Sequence, residues 1–404
     1  MRRSLSRLLP LLSLVVFGCS PAANNTVAMD MTAPPVDMGP PAPDLSFPSR
    51  APTDHPPLLQ MANGGGPVMK SMEVYTVVWQ GDEALGEQVQ TFLDWMMTST
   101  YYTGSLAEYG VGPGQAMGVI VLPVAKPATL DDSAISPLIK GYIADHTFPA
   151  PNANTVFSFI VPETTQSTLY GSNGCSDYGG YHAETRVATG SNQFVPYAIN
   201  LQCKGFGGNT PFDGITEVLS HEIAETATDG HPYTDTAYSA DPSMAPLGGE
   251  VGDLCVGLST TFNVTQDVAD GGATPESYYV TRLYSNKAAA AGNSDPCVPA
   301  PAGDPYFDVA VDPIDITLPA GQSMTAKLEP YAFGDVGVIK WALEGQPGQG
   351  ITVSPESGQV KAGDTVGLTI NVAAKTQSGT YPIFLYVDSQ KGGSNQWMSA
   401  INVQ

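Results

Sequence analysis

The spacing of apolar positions changes several times along the chain, and each change marks an element. Residues 72–79 (MEVYTVVW) are rich in β-branched and aromatic side chains and predict a strand. Residues 85–97 place Val89, Phe92, Leu93 and Met96 on one helical face. Residues 118–124 and 155–161 (TVFSFIV) repeat the strand pattern, and 135–146 predict a second helix between them. Residues 181–201 read as further strand. Alternating strands and helices predict an α/β layer domain. A helix then runs from Asp213, a candidate N-cap, to Gly230, a candidate stop. Its Ile215, Leu219, Ile223 and Ala227 share one row and predict a core face. Loop-rich chain leads on to a short strand at 278–283.

The pattern shifts after Pro299-Ala300-Pro301. From Phe307 to Gln404 there is no cysteine, no histidine and no helical period. Short alternating runs recur instead, at 308–311, 314–318, 324–328, 337–343, 366–372 and 381–387. Turn signals such as Ala320-Gly321-Gln322-Ser323 and Glu356-Ser357-Gly358 separate them. This predicts an all-β sandwich of roughly seven strands. It resembles bacterial immunoglobulin-like (Ig-like) modules, which implies a spacer or adhesive role.

The N-terminus reads as a targeting segment. Arg2, Arg3 and Arg7 precede an apolar run, Leu8 to Phe17, that is shorter than the roughly 20 residues a spanning helix needs. Val16-Phe17-Gly18-Cys19 resembles the bacterial lipobox, so residues 1–19 are expected to be a lipoprotein signal peptide with Cys19 the lipidation site. Plain secretion is the alternative. The expected location is the bacterial cell envelope, outer membrane or cell surface, with membrane attachment only through the lipid. Residues 20–66 are Pro-rich and lack apolar periodicity; they read as a disordered tether ending in Gly64-Gly65-Gly66. Folded domains are expected over 67–302 and 303–404.

Charge narrows the partners. The 404-residue chain carries a net charge of -23 and only 14% charged residues. Nothing in that balance would neutralise phosphates, so nucleic acid is excluded, as is docking on anionic lipid through a basic patch. A peptide, protein or cell-surface ligand is the expected partner. Beyond Cys19, the cysteines are Cys175, Cys203, Cys255 and Cys297. An even number in an exported chain implies two disulfides. Of three possible pairings, Cys175–Cys203 with Cys255–Cys297 makes two sequential loops flanking the candidate chemistry, and is favoured.

That chemistry lies in His221-Glu222-Ile223-Ala224-Glu225. His221 and Glu225 are one turn apart, so both reach one side of the helix and one cation. Glu222 lies one residue round, placed to take a proton from an attacking water. This is the HExxH arrangement with Glu in place of the second His. A third ligand is needed. Glu250, in Gly249-Glu250-Val251-Gly252-Asp253-Leu254-Cys255, is the candidate, with Asp253 as an alternative ligand or an orienting partner of His221. His182 reads either as a further ligand or as a strand histidine packed among tyrosines. His231 could approach from the loop after the helix. Tyr278 and Tyr279 read as strand residues, His55 and His146 as bystanders.

Residues 221–229 and 249–255, in this order, resemble the EXORDIUM / phosphate-induced protein family and its bacterial relatives. Gly180-Tyr181-His182, Tyr197-Ala198-Ile199 and Cys203 fall in the family's sequence of steps. The resemblance covers roughly residues 70–298 and leaves out the linker and the sandwich. It implies an exported protein with an α/β zincin-like domain. Plant members are growth-related extracellular proteins. Two departures stand out. The family's Asn-Pro or Asp-Pro after the helix is Asp229-Gly230-His231-Pro232 here, and the cysteine before the Gly-Tyr-His step is displaced to Cys175.

Two functions are therefore expected. One is a zinc (Zn2+) metallopeptidase or amidase with metal ligands His221, Glu225 and Glu250 and Glu222 as general base. The other is a non-catalytic, metal-stabilised surface binding protein, which the extra carboxylate favours by weakening the Lewis acidity of zinc.

Overall fold

The computed structural model describes residues 58–404, apart from 205–207, 209, 241–248, 264–276, 292–294, 301–305, 315, 334–335, 349, 362 and 392. Cys19, the signal segment, His55 and most of the linker lie outside the described residues.

The first body is built on a five-stranded sheet ordered β2-β1-β3-β5-β4. Its strands are β1 (Glu73–Trp79), β2 (Gln115–Leu122), β3 (Thr155–Val161), β4 (Gly180–Arg186) and β5 (Phe194–Leu201). Four run parallel, while β4 folds back antiparallel on β5 and forms one edge. Strand pleating sends alternate residues to opposite faces. On one face Val74, Val78, Val156, Ile160 and Ala198 pack under α1 (Glu83–Met96) and α3 (Pro211–Thr228). On the other, Val77, Phe157, Phe159 and Ile199 pack with Ile135 and Ile139 of α2 (Ile135–Ala144). Every residue of β3 is buried, as expected of a central strand covered on both faces.

The expected fold class, an α/β zincin-like domain followed by an all-β Ig-like sandwich, is corrected by the balance of elements. Strand accounts for 42% of the structure and helix for 21%. Strand outweighs helix chiefly through the C-terminal sandwich, and chain outside the expected strands adds short ladders. Thr129–Asp131, Gln166–Leu169 and Ser172–Asn173 form a small three-stranded sheet. β6 (Ser259–Asn263) pairs antiparallel with β7 (Ser277–Thr281). The stretch 181–201, read as one strand, splits into the two arms β4 and β5.

The C-terminal sandwich is richer in strands than the sequence suggested. One sheet is four-stranded, β8-β10-β14-β12, and the other five-stranded, β9-β16-β15-β11-β13. They comprise β8 (Tyr306–Asp312), β9 (Ile316–Leu318), β10 (Ser323–Phe333), β11 (Ile339–Leu343), β12 (Ile351–Ser354), β13 (Ser357–Val360), β14 (Val366–Val372), β15 (Gly379–Ser389) and β16 (Ser394–Val403). Ser357 and Gly358, read as a turn, begin β13, where Gly358 lies flat against the Trp341 indole. The sandwich also braces the first body. Tyr306 and Tyr331 join the core of that body, and Met398 of β16 presses on Gly249.

Asp308 sits buried in β8, with its carboxylate accepting from the Val309 N–H (2.7 Å). Burial pushes its pKa from 3.8 up to about 7. The folded state therefore keeps a proton that the unfolded chain releases, and stability falls as pH rises between those two values. We expect Asp308→Asn to raise stability at pH 8 by an amount on the order of a few kcal/mol, seen as a higher Tm, and to leave Tm unchanged near pH 4. Thermal melts at the two pH values check this; an equal shift at both would refute it.

Candidate metal centre

Helix α3 carries the centre. It starts at a capping box, in which Thr210 Oγ1 accepts from the Asp213 N–H (3.2 Å) and the Asp213 carboxylate accepts from the Thr210 N–H (2.8 Å). Thr210, not Asp213, is thus the N-cap, and Pro211 opens the first turn, where its missing N–H costs nothing. Ile215, Leu219, Ile223 and Ala227 are buried on the sheet side, as their spacing requires. Thr216 and Ser220 bind the backbone of β7 at Tyr279 and Thr281, which fixes the helix rotation. His221, Glu222 and Glu225 then point toward the edge strand β4 and the segment 249–255.

That segment is tightly folded. Asp253 accepts from the N–H groups of Gly249 (2.8 Å) and Glu250 (3.3 Å), closing a short 3-10 turn at Asp253–Cys255. The Cys255–Cys297 disulfide anchors the turn, and buried Arg282 donates to the Cys297 carbonyl. Cys175–Cys203 is the second disulfide. Glu225 Oε1 accepts from the Gly252 (3.2 Å) and Asp253 (3.0 Å) N–H groups, so the helix holds the turn directly.

Two histidines meet these carboxylates. His221 Nε2 lies 3.0 Å from Glu225 Oε1 and 3.4 Å from Asp253 Oδ1. His182, from β4, lies with Nδ1 3.6 Å from Glu225 Oε2 and 3.8 Å from Glu222 Oε2, and with Nε2 3.5 Å from Glu250 Oε2. The described residues thus contain two groups of three metal-type donors: His182, Glu225 and Glu250, all buried, and His221, Glu225 and Asp253, which is partly open. Glu225 belongs to both. His221 and Glu250, expected to share one ion, fall in different groups. The alternatives named from sequence, Asp253 and His182, complete the two sets.

The donor chemistry fits a cation. His182 Nε2 faces the Asp229 carbonyl at 3.1 Å, an acceptor, so Nε2 carries the proton. In the neutral ring Nδ1 then aims a lone pair at the oxygens of Glu222 and Glu225. Such an arrangement needs a proton or a cation in between. A charge-assisted hydrogen bond would draw N and O to about 2.7–2.9 Å. The 3.6 and 3.8 Å separations are longer and nearer the spacing of donors that share one small ion. Glu222 Oε2 and Glu250 Oε1 are buried with no hydrogen-bond partner. Unpaired buried carboxylate oxygens are costly unless a cation compensates them.

Protons compete with a cation for these donors. Burial opposes charge on His182, but the carboxylates of Glu250, Glu222 and Glu225 outweigh it and hold its pKa well above the usual range. His221 is likewise raised against burial, chiefly by Glu225 and Asp253. Burial raises Glu222 to about 7 and lifts Glu250 well above an ordinary carboxyl. Glu225 moves the other way: burial would raise it, but His221 and His182 together hold it well below.

Two glycines let the donors close in. A Cβ on Gly180 would lie 2.6 Å from Glu222 Oε1 and 2.8 Å from the Ile199 carbonyl. A Cβ on Gly252 would lie 2.6 Å from His221 Nδ1. We expect Gly180→Ala and Gly252→Ala each to lower Tm and weaken cation binding by roughly tenfold or more, read by melting and metal titration; wild-type affinity in both would refute the packing. His231 stays outside the centre. Its Nδ1 bonds Glu184 at 2.6 Å, tying the loop after α3 to β4. Tyr278 packs on Phe92 and Trp95.

No protein-family model matches the chain, and no curated protein matches it. Solved structures resemble about a quarter of it. WR4, a Caenorhabditis elegans MSP family member, is 14% identical with a TM-score of 0.21, over 24% of this chain and 97% of its own. A conjugative transposon lipoprotein from Bacteroides eggerthii is 16% identical with a TM-score of 0.18, over 24% and 96%. The BIgI domain of the Streptococcus agalactiae beta protein bound to CEACAM1 is 17% identical with a TM-score of 0.17, over 24% and 97%.

Proposed function

We propose that the protein is an exported, lipid-anchored hydrolase of peptide or amide bonds that depends on a divalent cation, zinc being the first candidate. The observation that carries this reading is the convergence of His182, His221, Glu222, Glu225 and Glu250 with carboxylate oxygens left unpaired. The sequence resemblance to the EXORDIUM / phosphate-induced proteins, the lipobox at Cys19 and the two disulfides favour export to the cell envelope. Among the described residues no helix is long and apolar enough to cross a membrane.

A bound divalent cation would polarise the carbonyl of the substrate and make its attacking water more acidic. The rest falls to the chain. Glu222, raised to about 7 by burial, suits a general base working near neutral pH. Glu225 is fixed by two backbone N–H groups and cannot swing away. The Asp229 carbonyl sets the His182 tautomer, leaving Nδ1 as the donor. His221 and Asp253 retain 16% and 28% side-chain exposure and mark the side from which a substrate approaches.

One observation favours a second reading, a metal-stabilised surface binding protein. His182, Glu225 and Glu250 are all buried, and structural cation sites are closed. The two are separated by metal analysis of purified protein together with chelator-sensitive cleavage of a peptide mixture. Cation present and cleavage abolished by chelator supports the hydrolase. Cation present without cleavage, with Tm falling on chelation, supports the binding protein. Absence of both cation and chelator effect refutes each.

A further inference from the structure

We propose that the centre takes two divalent cations, not one, with the Glu225 carboxylate bridging them. The inference deepens the cation-dependent reading above and rests on it.

Each oxygen of Glu225 serves a different histidine. Oε1 faces His221, and Oε2 faces His182. The donors around the two oxygens are distinct: Glu250 completes the buried set, and Asp253 the partly open one. A carboxylate that presents one oxygen to each of two donor sets has the form of a bridging ligand.

Charge makes the same argument. Glu222, Glu225, Glu250 and Asp253 converge with only two imidazoles, which are neutral when they ligate. Buried Asp229, beside Glu250, makes a fifth carboxylate; one divalent ion would leave three negative charges uncompensated among mostly buried atoms, and two ions would leave one. The orphaned oxygens point the same way. Glu222 Oε2, on a residue only 4% exposed, is unpaired and faces His182 Nδ1 at 3.8 Å; Glu250, 5% exposed, turns Oε2 to His182 Nε2 at 3.5 Å and leaves Oε1 unpaired. On the His221 side, Asp253 gives Oδ2 to the turn N–H groups and keeps Oδ1 toward the imidazole at 3.4 Å. The backbone N–H groups of Gly252 and Asp253 hold Glu225 between the two sets. The ring of His221 is confined by Gly252, where even a Cβ would collide.

The two positions differ in access. The His182 position is enclosed and would fill with the folded scaffold. The His221 position opens to solvent and would exchange its ion more readily and meet the substrate. Donors that are mostly carboxylate, with one imidazole at each position, suit manganese, iron or zinc.

The experiment uses the full chain, stripped with chelator and reloaded with Mn2+ or Zn2+. Metal analysis should give two equivalents, and the Mn2+ form should show the EPR spectrum of a spin-coupled pair. Asp253→Asn, in which the side-chain oxygen can still accept from the turn N–H groups, should lose one equivalent and convert the spectrum to that of an isolated ion. Glu250→Gln should lose the other. One equivalent in the wild type, or two without coupling, overturns the two-cation site and leaves the single-cation hydrolase standing. No retained metal overturns both. Circular dichroism of each variant confirms that a lost equivalent is not a lost fold, and the wild-type spectrum decides independently of any variant.

Discussion

Glu222→Gln is expected to reduce peptide hydrolysis by about a hundred- to ten-thousand-fold while leaving cation content and Tm close to wild type. The reasoning separates two roles. Glu222 Oε2 has no hydrogen-bond partner, so an amide in its place breaks no network. The two donor groups, His182 with Glu225 and Glu250, and His221 with Glu225 and Asp253, stay intact. What disappears is a carboxylate that can take a proton. Kinetics on a peptide library, with metal analysis of the same sample, check the split. Unchanged turnover with full metal content would refute Glu222 as base. Lost metal together with lost turnover would instead make Glu222 a ligand.

Parts of this centre were legible in the sequence, for identifiable physical reasons. The row of Ile215, Leu219, Ile223 and Ala227 is a local property, and it determined which side of α3 would face the core. His221 and Glu225 are one turn apart, so their meeting needs no knowledge of the rest of the fold. The disulfide pairing was one of three that the sequence allowed, favoured only because its two loops flank the helix, and the structure carries that one. His182 was harder. It reaches the helix only because β4 turns back antiparallel and places one strand face against α3. Its sequence signal was the neighbouring Gly180, whose missing Cβ makes room for Glu222. The division of Glu250 and Asp253 between two histidines was not legible either, because it depends on the turn that Asp253 itself closes. Fold class failed for a related reason. Alternation in longer runs was visible, but two- to five-residue ladders such as Thr129–Asp131 carry too little pattern to distinguish from loop. The sandwich strand β16 lay beyond the runs recognised, although its Met398 braces the segment that holds Glu250.

Glu225→Ala is expected to have the largest effect on stability. Glu225 accepts from the Gly252 and Asp253 N–H groups, and its two oxygens face His221 and His182. Removing it leaves two buried N–H groups unpaired and two imidazoles without their shared acceptor. Breaking a buried charged network of this kind costs about 3–5 kcal/mol. For a body of this size that is a fall in Tm of roughly 10 °C. Glu225→Gln keeps an acceptor oxygen for the N–H groups and should recover much of the loss. It should not recover the cation, because a neutral amide cannot bind as a charged bridge. The two variants therefore divide the role of the residue: alanine reports fold plus metal, glutamine metal alone. Differential scanning calorimetry with and without chelator measures both. Chelator should lower Tm in the wild type and have little further effect in either variant. A wild-type Tm in Glu225→Ala would show that the turn at Asp253–Cys255 is held by its disulfide and Arg282 alone. A full chelator response in Glu225→Gln would show that the cation is bound without this carboxylate.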